Sequence, residues 1–62
     1  MKPAIEVTFD EQKSRQVNAL IYRDASGRYY NFYGDTYFYC DLDPFVVYYP
    51  LTDCKFVVVD KL

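Results

Sequence analysis

A chain of 62 residues with no histidine and two more acidic than basic side chains is one small domain without the commonest general base. It is also a poor candidate for a phosphate backbone, whose binders rely on Lys and Arg. Such a domain buries only about 60% of its unfolded surface, so it wants a staple, a metal or a partner subunit.

In chain order, residues 4–9 alternate, with Ile5, Val7 and Phe9 set against Glu6 and Thr8. That suits an extra strand and equally a flexible arm, which would span residues 1–13 of the single domain 1–62. Residues 10–13 are polar and fit a turn or a short helical start. Residues 17–23 are β-prone, with Val17, Ala19 and Ile21 on one face and Leu20 and Tyr22 on the other. Asp24-Ala25-Ser26-Gly27 then supplies turn chemistry, and residues 28–33 resume the alternation. Two such runs around four turn residues predict a β-hairpin. Gly34-Asp35 closes its second strand, and residues 36–40 suit a strand or an ordered loop. Asp43-Pro44 is a helix-start signal and Pro50 a stop. The residues between them are β-branched or aromatic, which favours a strand. Residues 54–59 are apolar apart from Lys55 and are read as a central strand.

Catalytic constellations are missing. Ser14 and Ser26 lie in polar or turn contexts, and Gly27 and Gly34 look like turn residues rather than a phosphate cradle. No catalytic residue and no cofactor is expected. Cys40 and Cys54, fourteen apart with no histidine, make a weak zinc set. Asp35, Asp41, Asp43 and Asp53 lack the spacing and the central glycine of a calcium loop, so a solvated acidic face is expected rather than a metal site. No apolar run follows Lys2-Pro3, so neither a secretory signal nor a membrane span is expected. The chain is placed in the cytoplasm, with both cysteines reduced. A homo-oligomer is then the remaining source of buried area.

Ten of the aromatic residues fall between Tyr29 and Tyr49, and no Lys or Arg occurs between Arg28 and Lys55. Tyr29, Tyr30, Phe32 and Tyr33 have the character of a base-stacking strand, but the downstream flank is acidic where such platforms are basic. The aromatics either fill a core or fill a core and also form a protein interface. Their number favours the second. An aromatic, acidic and cation-free stretch suits a protein that imitates a phosphate backbone, or one that occupies the groove of a protein that binds one.

The order of residues resembles the small uracil-DNA glycosylase inhibitor family of Bacillus phages that use protein-primed replication. The likeness spans residues 14–62. It rests on Val17, Leu20, Asp24, Gly27 and Tyr29-Tyr30, on the ungapped steps Leu42, Phe45, Val47, Tyr49 and Thr52, and on Asp60-Lys61 after a β-prone run. The resemblance implies an α+β fold, a three-stranded antiparallel β-sheet with one short α-helix, working as a homodimer. It places the helix at residues 44–49, with Phe45 and Tyr49 sharing a face. It further implies inhibition of the host's uracil-DNA glycosylase by DNA mimicry, in which an aromatic groove captures the enzyme's DNA-intercalating leucine.

Two acidic residues of the family are replaced here by Asn31 and Val46, and the segment at residues 34–40 is longer. Asp35, Asp41 and Asp43 are the candidates to take over the lost charges. The partner-binding set is therefore Phe45, Tyr49, Val46, Tyr48, Leu42, Asp41, Asp43, Asn31 and Asp35. The expected partners are the bacterial glycosylase and a second copy of the chain, with no direct nucleic-acid or membrane binding. The alternative is a small acidic module that inhibits another host DNA-processing protein. A single-strand nucleic-acid binder built on the tyrosine-rich hairpin is a third.

Overall fold

A computed structural model describes residues 3–62. It contains six strands and one helix: β1 (Ala4–Phe9), α1 (Glu11–Val17), β2 (Leu20–Asp24), β3 (Tyr29–Tyr33), β4 (Thr36–Asp41), β5 (Tyr49–Leu51) and β6 (Lys55–Val58). They form a single sheet in the order β5-β4-β3-β2-β1-β6, antiparallel throughout except for the parallel pair β1–β6.

Local chemistry explains most of these elements. The carboxylate of Asp10 accepts the Lys13 N–H at 3.0 Å and so caps α1. Asn18 ends the helix in the left-handed region at φ 55°. The helix is tied to the sheet by Ser14, whose Oγ accepts the Ile21 N–H at 2.8 Å and donates to the Ile21 carbonyl at 3.3 Å. The β2–β3 hairpin forms where the sequence predicts it, with Tyr22 opposite Tyr30 and Arg23 opposite Tyr29. Its turn is organised by Asp24, whose Oδ1 accepts from the Ser26 N–H, the Ser26 hydroxyl and the Arg28 N–H. Gly27 takes φ 91° there, a conformation costly for a residue with a Cβ. Between β3 and β4 the register slips at Tyr29/Tyr30, which leaves Cys40 as the extra residue of a bulge.

Connectivity forces the sheet to curl. β5 and β6 lie on opposite edges, yet only residues 52–54 join them. Leu51 and Lys55 are four peptide steps apart, hence within about 14 Å of each other. The edges of a flat six-stranded sheet would lie about 24 Å apart. The rings record the resulting half-barrel. Phe56 on β6 stacks on Tyr37 of β4 with centroids 4.1 Å apart, and it meets Tyr30 of β3 at 5.2 Å. Tyr22, Phe32 and Tyr39 extend this aromatic lining of the concave face through Tyr22–Tyr37, Phe32–Tyr37 and Tyr30–Tyr39 contacts. Val7 and Tyr30 are buried within it, while Ile21 is buried on the opposite face, where Ser14 of α1 meets it.

This architecture corrects the expected fold. The sheet is six-stranded and mixed, not three-stranded and antiparallel. Its helix occupies residues 11–17, not 44–49. At 44–49 the Asp43-Pro44 signal produces a single turn, because the following β-branched and aromatic residues do not propagate a helix. A segment ended by Pro50 is also too short to offset the cost of nucleation. Val17 closes α1 instead of starting a strand. The apolar run near the C-terminus becomes an edge strand, with Val57 and Val58 exposed. Residues 4–9, read as an arm or a strand, pair on both sides as β1.

Candidate protein-binding surface

The polypeptide between β4 and β5 folds into a compact loop whose ends meet. Asp41 enters it with φ 58°. The Phe45 N–H donates to the Asp43 carboxylate at 2.9 Å, and the Val46 N–H to the Asp43 carbonyl at 3.1 Å. The loop then closes as the Tyr48 N–H donates to the Tyr39 carbonyl at 2.8 Å. Pro44 is buried, but the apolar side chains around it are not. Leu42 and Phe45 are 69% and 68% exposed, and Val46, Val47, Tyr48 and Tyr49 between 41% and 56%. An ordered loop that presents six large apolar residues to water is the kind of surface that marks an interaction site.

Its two flanks differ. On one side Tyr39 carries Tyr48 and Tyr49, with ring centroids at 6.0 and 5.4 Å. On the other, Asn31, Tyr33, Phe38 and Val47 line a shallow hollow of about 220 Å³. Of these, Tyr33, Phe38, Tyr39 and Val47 were outside the expected site. Counting along the strands would have found two of them. A tight turn at Gly34-Asp35 sets Tyr33 against Thr36 and therefore Asn31 against Phe38, on the same face.

The expected site residues divide. Leu42, Phe45, Val46, Tyr48, Tyr49, Asp41 and Asp43 lie on or beside the loop, and Asn31 reaches it through the hollow. Phe45 and Tyr49 do not share a helical face, since one sits in the turn and the other begins β5. Asp35 is not part of the group. It occupies the β3–β4 turn, where its carboxylate accepts the Thr36 hydroxyl, and about 20 Å of β4 separates it from Asp41. Asp41 is already engaged, accepting the Tyr39 hydroxyl at 3.1 Å with the Arg28 guanidinium at 3.9 Å.

No group of three or more His, Cys, Asp or Glu side chains among the described residues is arranged to hold a metal ion. Ser14 and Ser26 both serve structure, in the helix anchor and the hairpin turn. Cys40 and Cys54 are not joined in a disulfide. Burial raises the Cys40 thiol above its ordinary value, a backbone hydrogen bond with Asn31 opposes this, and the charge of Asp43 adds to it. The thiol is thereby kept in its unreactive form near neutrality. No helix among the described residues is long and apolar enough to cross a membrane. No family model, curated protein or solved structure matches the chain.

Proposed function

We propose that this chain acts by binding a protein rather than by catalysis, as a phage-encoded inhibitor of the host's cytoplasmic uracil-DNA glycosylase. The observation that carries the binding reading is the exposed apolar loop at residues 42–49, set in a stretch with no Lys or Arg between Arg28 and Lys55. The enzyme it would face has the complementary character. A glycosylase flips a base out of the duplex, and DNA-kinking proteins insert apolar wedges between base steps. A wedge leucine received among Phe45, Val46 and Val47 would contribute about 2 kcal/mol of burial. Such a pocket would be built from a turn and a strand edge, not from paired helices. Apolar residues remain exposed elsewhere, at Phe9, Leu20, Val57 and Val58. In so small a chain they support a homodimer, which sedimentation equilibrium would test.

One observation favours a second reading. DNA mimicry needs carboxylates in a row, and β4 holds Asp35 far from Asp41 and Asp43. An acidic module directed at another host DNA-processing protein needs only the apolar loop and a local negative field.

The deciding experiment is uracil excision from a labelled duplex, titrated with this protein. Stoichiometric loss of excision, without binding of the protein to the DNA, is expected. Phe45→Ala should weaken inhibition tenfold or more, as central aromatic anchors do. Unchanged excision at large excess would overturn the glycosylase reading, and full potency of the Phe45 variant would overturn the role of the loop.

A further inference from the structure

Resting on the reading of residues 42–49 as a protein-binding surface, we propose that Tyr39, Tyr48 and Tyr49 form a stacking wall for an arginine side chain of the partner protein.

The wall is fixed by backbone. Tyr49 is the antiparallel partner of Tyr39 on the neighbouring strand, and Tyr48 is held by its N–H bond to the Tyr39 carbonyl. Their rings incline to that of Tyr39 by only 37° and 35°, and both are about half exposed. Tyr39 thus gathers two rings beside its own, and Tyr48 and Tyr49 each keep about half of their surface in solvent.

The chemistry selects the occupant. The face of a tyrosine ring is the negative end of its quadrupole and attracts a cation. Two carboxylates nearby carry the same sign. Asp41 sits at the rim, bonded to the Tyr39 hydroxyl, and Asp43 begins the loop that Tyr48 closes. The nearest cation of the chain, Arg28, approaches Asp41 from the preceding strand connection at 3.9 Å, and residues 29–54 contain no other. Shape decides between the two basic side chains. A compact ammonium is best held in a cage that surrounds it, whereas a flat guanidinium stacks on an open wall and turns its edge to a carboxylate. The apolar part of the partner is left to Phe45, Val46 and Val47 elsewhere on the same loop. One loop then presents two subsites of different chemistry.

The test uses two short peptides identical except that one carries arginine and the other citrulline, its neutral near-isostere. Each is titrated into the native chain while the backbone amide signals of residues 39–49 are followed by NMR. Shifts at Tyr48 and Tyr49 with the arginine peptide, at least fivefold weaker with citrulline, are expected. Replacing both residues with Phe should preserve the response, and replacing both with Leu should abolish it. Equal shifts from both peptides would mean an apolar occupant and would overturn the proposal, as would equal binding by the Leu variant. The excision assay separates this inference from the inhibitor reading. A Leu variant as potent as the native chain defeats the stacking wall and leaves the inhibitor standing. Arginine-selective shifts with unimpaired excision do the reverse.

Discussion

At the scale of single residues, the charged group that matters most to the fold is Asp24. Its two oxygens accept four hydrogen bonds, three organising the hairpin turn and one, at 2.7 Å, from the buried Tyr30 hydroxyl. Burial acts to raise its pKa. The bonds from Ser26, Tyr30 and Arg28 outweigh this and hold it below the ordinary 3.8. Its contribution to stability is therefore complete above pH 3.8 and is lost as the pH falls below that value. Tyr30 has the opposite sense. Burial, then its bond to Asp24 and the charge of that carboxylate, raise its pKa well above the usual 10. Its contribution is complete below pH 10 and is lost as the pH rises further. Urea midpoints across pH should show both limbs, with Asp24→Asn flattening the acid one and Tyr30→Phe the alkaline one. At pH 7, Asp24→Ala should cost about 2 kcal/mol, since it strips a charged acceptor from four donors. An unchanged acid limb in Asp24→Asn would show that the carboxylate has no such role.

At the scale of elements, residues 43–49 show what local signals decide and what they leave open. Asp43 and Pro44 do start a turn, and Pro50 does lie beyond it, so the punctuation was legible. The path of the chain after the turn was not, because β-branched and aromatic residues do not carry a helix onward, and what closes the loop instead is a bond from the Tyr48 N–H to the Tyr39 carbonyl of β4, a contact with no local mark. The β2–β3 hairpin was legible because its turn residues and its alternation agree. The β1–β6 pair was not, since it joins residues about fifty positions apart with no local mark in either strand. The same reason hid the hollow beneath Val47, which exists only once β3, β4 and the loop are brought together. Asp43→Ala offers a direct check on the turn. It removes the acceptor for the Phe45 N–H, so amide exchange at Phe45 should accelerate while β4 keeps its protection, with a loss near 1 kcal/mol. Sequential helical contacts across 44–49 in the native chain would contradict the turn.

At the scale of the whole molecule, the half-barrel depends on how well its far edge is pinned. The short 52–54 connection brings β6 back over the sheet, and Phe56 makes the contact that keeps it there, stacked on Tyr37 and set edge-on to Tyr30. Those two rings lie on strands that are not neighbours of β6, so Phe56 ties the open side of the curl directly to its centre. Phe56→Ala should cost about 3 kcal/mol, from lost burial and two lost aromatic contacts. For a 62-residue chain that is a large share of the stability expected of so small a domain. Near-UV circular dichroism of the tyrosines should fall sharply, and the thermal midpoint should drop by well over 10 °C. Phe56→Leu keeps most of the volume without the ring stack and should fall between the two. The loop at 42–49 is attached to β4 and β5, on the opposite edge, and is closed by its own backbone bonds. In the Leu variant it should therefore keep its exchange pattern at Phe45 and Val46 while β6 loses protection. Equal loss of protection at both edges would instead mean that the binding loop borrows its order from the closed curl, and that a partner seated on the loop would stabilise the whole sheet.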